Sequence, residues 1–189
     1  MSLSARLLDS IASAAVREGL ADAVYTRLAT PIGTLLVVQG ARGVVRIGFE
    51  SESVDRLLAQ VAARLGPRIV ASDRELADTR DVLSSYLEGG DERLDLPVDL
   101  ALVPSAFRRA ALTALREDVG PGEVVTYGGL AAKVGHPRAA RAVGSACATN
   151  PVPLVVPCHR VVPRAGGVGS YGGGPELKRR LLALEAGAS

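Results

Sequence analysis

A cysteine followed by a histidine and an arginine ends an apolar segment, Asn150 to Val162, that contains three prolines. A thiol is a weak nucleophile until it is deprotonated, and histidine is the usual base. Neighbouring side chains of an extended segment point to opposite faces, so Cys158 and His159 would need a bridging water or a sharp turn to interact. Because proline fixes φ and donates no hydrogen bond, the segment is predicted to be stiff and extended. The alternative is a buried strand whose cysteine acts as a small apolar side chain.

A glutamate shares the apolar face of the last predicted helix, which begins at Pro175. Glu185 follows Leu181 by four residues and Leu177 by eight, a spacing that places the three on one side. A buried carboxylate is costly unless it is paired. A histidine that becomes positive on taking the thiol proton would be a suitable partner. A structural ion pair, for instance with Arg160, is the alternative.

A glycine-rich loop, Gly166 to Gly174, lies between these two segments and surrounds Tyr171 with six glycines. Such a backbone can approach a ligand closely. The loop is predicted to form a wall over the thiol, with Tyr171 as a flat apolar face; the alternative is an unstructured surface loop. In the helix that follows, Lys178 is predicted to lie near the solvent side.

The composition indicates an ordinary soluble globular protein, with 48% hydrophobic and 22% charged residues among 189. Two cysteines and two histidines make neither a disulfide framework nor an obvious zinc site, so we expect a cytoplasmic protein without metal or cofactor. No segment has the length of a membrane span or the uninterrupted apolar core of a signal peptide, so no membrane association is expected.

Charge is unevenly distributed along the chain. Residues 1–98 carry 11 arginines against 14 acidic residues, a net charge of −3, whereas residues 99–189 carry 11 basic against 6 acidic residues, a net charge of +5. The basic second half indicates a polyanionic partner, although surface drift could produce the same difference.

The first half is predicted to be an antiparallel β-meander with helices. An amphipathic helix over residues 4–20 precedes three strands that are separated by turn-forming residues. The predicted strands are Val24–Leu28, Gly33–Gln39 and Gly43–Phe49, followed by a helix Ser51–Leu65, a short strand Arg68–Ala71 and a helix Asp73–Leu87. An extended segment, residues 95–100, is predicted to link the two halves.

The second half is predicted to be mostly helical, with a helix Ser105–Val119 and then a helix-turn-helix formed by Tyr127–Val134 and Pro137–Thr149. The fold class is therefore α+β. The predicted parts are a helical extension (1–22), an N-terminal α/β domain (23–98) and a C-terminal domain (99–189) that holds the helix-turn-helix and the Pro-Cys-His-Arg turn.

The second helix of this unit is rich in small residues and could approach a phosphate backbone closely. The small residues include Ala139, Ala140, Ala142 and Gly144. The predicted helix places Arg138, Arg141 and Ser145 on one face. The alternative is close packing against a neighbouring helix with the arginines solvated.

The motifs together resemble the O6-alkylguanine-DNA alkyltransferases. The resemblance rests on Pro157-Cys158-His159-Arg160-Val161-Val162, on the preceding Asn150-Pro151, on Gly169-Ser170-Tyr171 and on the helix ending in Glu185. It also includes Val124-Val125-Thr126-Tyr127 and the segment 138–144. It is specific across residues 103–186, limited to the order of elements across residues 24–100, and absent from residues 1–22.

The resemblance implies direct-reversal DNA repair, in which an alkyl group moves irreversibly from O6-alkylguanine to Cys158 after the nucleotide is flipped out of the duplex. It implies activation of Cys158 through His159, a water and Glu185, with Asn150 as the hinge and Tyr127 displacing the base. The residues implied to contact DNA in the minor groove are Arg141, Arg138, Ala139, Ala140, Ala142, Gly144 and Thr126. The residues implied to line the base pocket are Tyr171, Gly172, Pro153, Val161 and Val168.

The expected partner is therefore double-stranded DNA containing O6-alkylguanine, bound by a monomer. Gly172 stands where many members have serine, so a backbone amide would contact O6. A lesion sensor or helix-turn-helix regulator without transfer activity is the alternative function. A thiol hydrolase is a third hypothesis, which no oxyanion-hole motif supports.

Overall fold

The computed structural model describes residues 3–89 and 94–187. Packing groups the chain into two compact units, Met1–Ser84 with Leu96–Leu102 and Ser85–Asp95 with Val103–Ser189. The first unit contains a sheet with helices and the second is mostly helical, which confirms the α+β class. The division at residues 22 and 98 stays a prediction, because compact packing alone does not show which segments fold independently.

The first unit is built on a four-stranded sheet in the order β3-β2-β1-β4. The strands are β1 (Ala23–Thr30), β2 (Gly33–Gly40), β3 (Gly43–Gly48) and β4 (Ile69–Ala71). The first three are antiparallel neighbours, so the predicted meander is confirmed. The short β4 pairs in parallel with β1, a pairing that requires the intervening helix as a crossover connection.

The helices of this unit are α1 (Leu3–Arg17), α2 (Val54–Leu65) and the larger part of α3 (Ala77–Leu87). The core of the unit contains buried residues of β1, β2, β3 and α2, namely Ala23, Leu36, Val38, Val45, Leu57 and Val61.

Three predicted helix boundaries were wrong for local reasons. Helix α1 ends at Arg17 because Gly19 adopts φ +68° and closes the helix. The Ser53 hydroxyl caps α2, which therefore starts at Val54 rather than Ser51. Asp73 does not start α3 because its carboxylate instead accepts a hydrogen bond from Thr26 in the sheet.

The second unit contains α4 (Ala106–Asp118), β5 (Val125–Thr126), α5 (Tyr127–Lys133), α6 (Ala140–Ala148), β6 (Val161–Val162) and α7 (Pro175–Glu185). The side chains of Ser105 and Thr126 cap α4 and α5 as predicted. Helices α5 and α6 pack against each other and form the predicted helix-turn-helix.

The second helix of this motif starts at Ala140, not at Pro137. The amide of Ala139 donates to the carbonyl of His136, so Pro137 occupies a β-turn instead of the first helical turn. Arg138 therefore lies before the helix, and the predicted helical face shared with Arg141 and Ser145 was wrong for Arg138.

Candidate active site

The segment from Asn150 to Pro157 is folded back on itself, so the predicted extended track was wrong. Leu154 adopts φ +74°, and the amide of Val156 donates to the carbonyl of Val152 at 2.9 Å. Proline excludes helix in this segment but does not exclude turns. The whole segment is buried, so its strained residue is held by its surroundings.

The Asn150 side chain holds this fold together. Its Oδ1 accepts the amide of Val152 at 3.0 Å, and its Nδ2 donates to the carbonyl of Val156 at 2.8 Å. The same Nδ2 lies 3.1 Å from the Sγ of Cys158. Asn150 lies two residues after the end of α6, so one amide group joins the helix-turn-helix to the thiol.

Replacing Asn150 with alanine is expected to lower the free energy of unfolding by about 2–4 kcal/mol. The substitution leaves the buried amide of Val152 without its partner and removes one of the two hydrogen bonds to the Val156 carbonyl, which still accepts the amide of Cys158. Thr149→Ala is the matched control, because its exposed hydroxyl donates to the carbonyl of Ser145 and to no other described residue. A change below about 0.5 kcal/mol is expected. Denaturant unfolding measures both. Equal losses from the two substitutions would contradict the bracing role of Asn150.

Cys158 begins a single 3₁₀ turn, Cys158–Arg160, and is only 4% exposed. Burial raises the pKa of the thiol to about 11, although the Asn150 amide and the charge of Lys178 act in the opposite direction. The resting side chain is therefore a neutral thiol, and its proton must leave when the reaction occurs.

His159 and Glu185 form a buried pair. The imidazole Nε2 lies 2.9 Å from the Glu185 Oε1, and the two side chains are 0% and 1% exposed. Burial tends to raise the pKa of Glu185, but hydrogen bonds from His159 and Arg160 outweigh it and lower the pKa to about 2. The carboxylate is therefore ionised, and the proton of a neutral His159 lies on Nε2.

This tautomer leaves Nδ1 of His159 as the proton acceptor. Among the described residues, Nδ1 is buried and has no hydrogen-bond partner. Burial lowers the pKa of His159, against the effect of Glu185, so the imidazole is neutral before the reaction. The pair therefore has the protonation state that a general base requires.

Two further side chains hold Glu185. Arg160 donates from Nε to Oε2 at 2.9 Å and from Nη2 to Oε1 at 2.6 Å, and its Nη1 reaches the carbonyl of Val119. The Tyr86 hydroxyl donates to Oε1 at 2.6 Å. The two alternatives raised for Glu185 thus coexist, because the carboxylate pairs with both His159 and Arg160.

Lys178 is fully buried, so its predicted position near solvent was wrong. Its Nζ donates to the carbonyl of Val161 at 2.6 Å, with the carbonyl of Ser170 at 3.5 Å. The lysine thereby ties α7 to β6 and to the glycine-rich loop. Burial lowers its pKa, while Cys158 and Cys147 act in the opposite direction.

A parallel pairing of β5 with β6 brings Tyr127 to the site. Val125 pairs with Val161 and Thr126 with Val162, so α5 begins beside the strand that follows the reactive turn. A Cβ on Gly169 would lie 3.4 Å from the Tyr127 hydroxyl oxygen, and one on Gly144 would lie 3.9 Å from its ring. Tyr127 therefore lies between α6 and the glycine-rich loop.

The predicted DNA-contacting residues form a surface of mixed exposure on the helix-turn-helix. Arg138 and Arg141 are exposed, whereas the small residues of α6 and the turn before it are half-buried. The half-buried ones are Ala139, Ala140, Ala142 and Gly144. Thr126 is half-buried as well, and its hydroxyl is used in capping α5, where it accepts the amide of Gly129 at 3.0 Å.

The predicted base-pocket residues divide into two groups. Pro153 in the folded segment and Val161 in β6 are buried. Val168 and Gly172 lie in the glycine-rich loop, where Val168 is half-buried and Gly172 is exposed. Tyr171 meets His159 edge-on, with ring centroids 6.2 Å apart, and is the loop residue that the structure brings to the reactive turn.

The described residues contain no group of three or more His, Cys, Asp or Glu side chains that could hold a metal ion. Among the helices so described, none has both the length and the apolar character needed to cross a membrane. The chemical features of this unit are the buried Cys158 thiol, the oriented His159 base and the helix-turn-helix of α5 and α6.

Sequence comparison supplies the family. The profile of the 6-O-methylguanine DNA methyltransferase DNA binding domain matches residues 106–187, and that of the ribonuclease-like domain matches residues 23–100. The chain belongs to this methyltransferase family. The resemblance seen in the motifs is thereby confirmed, and α1 lies outside both matched regions.

Curated relatives in the methyltransferase family cover most of the chain. The methylated-DNA–protein-cysteine methyltransferase of Haemophilus influenzae is 34% identical over 85% of this chain and 85% of its own. The human protein of the same name is 35% identical, over 85% of this chain and 79% of its own. The Mycobacterium tuberculosis OGT in its crystal structure with DNA is 30% identical, with a TM-score of 0.75 over 88% of this chain and 94% of that chain.

Sequence reasoning missed two residues of this methyltransferase site. Tyr86 lies far along the chain from Glu185, and a tyrosine in a helical apolar stripe gives no signal beyond core packing. Lys178 is a charged residue among charged neighbours, so periodicity placed it in solvent. One signal for its burial was available: Lys178 lies three residues before the buried Leu181, and residues three apart lie on the same face of a helix.

Proposed function

We propose that this protein repairs DNA by moving the alkyl group of O6-alkylguanine onto Cys158 in a single irreversible transfer. The observation that carries the proposal is the ionised, buried Glu185 that fixes the His159 proton on Nε2 and leaves Nδ1 available as a base. Membership of the methyltransferase family supports the same chemistry.

The reaction begins with proton transfer from Cys158 to His159. Nδ1 of His159 has no hydrogen-bond partner among the described residues, so a water would bridge Sγ and Nδ1. The imidazolium that forms is stabilised by Glu185, and the thiolate is favoured by the Asn150 amide and the positive charge of Lys178. This arrangement can convert the neutral resting thiol into a nucleophile.

The thiolate then attacks the alkyl carbon. The new S–C bond forms as the C–O6 bond breaks, the bonding electrons move to O6, and the guanine anion takes up a proton to give guanine. A thioether is not readily hydrolysed, so each molecule reacts once. All residues of this relay lie in one unit of one chain, which supports action as a monomer.

The helix-turn-helix would present the flipped nucleotide to this site from the minor groove. A base in the stack hides its O6 substituent, so the nucleotide must leave the duplex. The small residues of α6 would allow close approach to the backbone, exposed Arg141 would fill the vacated space, and Tyr127 would turn the base toward the thiol. Tyr171, Pro153, Val161, Val168 and Gly172 would line the base pocket.

A stoichiometric transfer assay tests the proposal. Incubating the protein with duplex DNA that contains O6-methylguanine should add one methyl group, and mass spectrometry should find it on the Cys158 peptide rather than on the Cys147 peptide. Binding of the same DNA without added mass would contradict the transfer and favour the lesion-sensor alternative.

Arg141→Ala is expected to slow repair of duplex DNA by about tenfold or more while leaving the unfolding free energy within about 0.5 kcal/mol, because Arg141 is exposed. The rate of Cys158 alkylation by iodoacetamide, which needs no flipped base, should not change. Arg56→Ala, an exposed arginine on α2, is the matched control and should repair at the wild-type rate. Equal repair rates for the Arg141 variant and the wild type would exclude the proposed role.

A further inference from the structure

Tyr86, near the end of α3, is buried beside the reactive pair. It is 2% exposed, and its hydroxyl oxygen lies 2.6 Å from Oε1 of Glu185 and 3.5 Å from Nε2 of His159. Burial raises the pKa of Tyr86 well above its usual value, and the neighbouring charge of Glu185 raises it further. The phenol therefore keeps its proton and donates a hydrogen bond to the carboxylate.

The donors around Glu185 have separable effects. Arg160 binds both carboxylate oxygens from one side and neutralises the charge. Oε1 accepts hydrogen bonds from Nε2 of His159 and Nη2 of Arg160, and the Tyr86 hydroxyl adds a third donor, which is uncharged. This third hydrogen bond restrains where Oε1 lies.

We propose that Tyr86 is a positioning residue for alkyl transfer, which acts by holding Oε1 of Glu185 against Nε2 of His159. The inference rests on the proposed function, because the oriented imidazole matters only if Nδ1 accepts the proton of Cys158. Tyr86 belongs to the same compact unit as the other members of the relay, which lie in the 3₁₀ turn and in α7.

Further titratable and charged groups surround His159 and Glu185 and can also affect how the transfer rate depends on pH. They are Arg160 in the 3₁₀ turn, Lys178 on α7, Tyr171 in the glycine-rich loop, Cys147 on α6 and Tyr127 on α5. Tyr86→Phe leaves all of these in place and removes only one oxygen.

Tyr86→Phe is expected to slow single-turnover methyl transfer by about tenfold, the effect of losing one oriented hydrogen bond to a charged group. The acid limb of the rate profile should also move to higher pH, because a carboxylate with one donor fewer binds a proton more readily. Duplex affinity should not change. Tyr25→Phe in β1 is the matched control, since no hydrogen bond involves its hydroxyl among the described residues.

A double-mutant cycle distinguishes positioning from a structural role. If Tyr86 acts through Glu185, Tyr86→Phe should slow the reaction no further in a Glu185→Gln background. Additive losses, or a wild-type rate and pH profile in Tyr86→Phe with only a lower Tm, would overturn the inference.

Alkylation by iodoacetamide separates this inference from the proposed function. The reaction needs the same thiol and base but no DNA, so Tyr86→Phe should slow it as well. If iodoacetamide reacts faster with the wild type than with Tyr86→Phe, but the wild type takes no methyl group from DNA, the proposed function alone would be contradicted. Equal iodoacetamide rates for wild type and Tyr86→Phe would overturn the role of Tyr86.

Discussion

Replacing Cys158 with alanine is expected to abolish alkyl transfer while the fold and the affinity for DNA stay almost unchanged. The resting thiol is neutral, since burial raises its pKa to about 11, so the substitution removes no charge from the site. Asn150 keeps its hydrogen bonds to Val152 and Val156. The lost volume is one sulfur atom, and a destabilisation of about 1 kcal/mol is expected.

Single-turnover kinetics and duplex binding together check this expectation. Cys158→Ser is the second variant, because a serine hydroxyl can replace the thiol as hydrogen-bond partner but is a much weaker nucleophile at neutral pH. Cys147→Ala is the matched control; burial raises the pKa of that thiol to about 12, and no role in transfer is assigned to it. Transfer that survives in Cys158→Ala, or disappears in Cys147→Ala, would refute the assignment of the nucleophile.

Features encoded within a few residues were predictable from the sequence. Ser105 and Thr126 cap helices because their hydroxyls reach amides three residues ahead, and Pro175 begins α7 because its fixed φ suits a first turn. Glu185 could be placed on a buried face because leucines recur four residues apart. Local geometry alone decides each of these features.

The contacts that join distant segments were not predictable in this way. Three prolines suggested extension, but the fold of that segment depends on the Asn150 side chain and on Leu154 in a left-handed conformation. Burial of Lys178 depends on a carbonyl 17 residues away, at Val161. Family resemblance indicated Asn150 and Tyr127, but neither resemblance nor periodicity indicated Tyr86.

Replacing Glu185 is expected to have the largest effect on stability. Glu185→Ala leaves Arg160, which is 4% exposed, with the Val119 carbonyl as its remaining described partner, together with unpaired donors on His159 and Tyr86. Removing one member of a buried ion pair costs about 3–5 kcal/mol. Alkyl transfer should fall by at least about a hundredfold, since His159 loses both its fixed tautomer and the charge that stabilises its protonated form.

Glu185→Gln separates charge from shape through its dependence on pH. The folded-state pKa of Glu185 is about 2, which is below that of an unfolded glutamate. The contribution of the Glu185 charge to the free energy of unfolding is therefore fully present above about pH 5 and is lost as the pH falls toward 2. The shift corresponds to about 3 kcal/mol. The unfolding free energies of wild type and Glu185→Gln should therefore differ by about that amount at pH 7 and converge in acid, because the protonated wild-type side chain becomes the neutral equivalent of glutamine.

Glu176→Gln on the same helix is the matched control. Glu176 pairs with Arg179 three residues later, and its side chain is 87% exposed, so its removal should change stability by less than about 1 kcal/mol at any pH. If the difference in unfolding free energy between wild type and Glu185→Gln stays constant from pH 7 to pH 3, the charge of Glu185 does not stabilise the fold and only the shape of the side chain matters. If the two unfolding free energies converge in acid, the same charge orients His159 and stabilises the fold. Loss of Glu185 from α7 would then remove both effects.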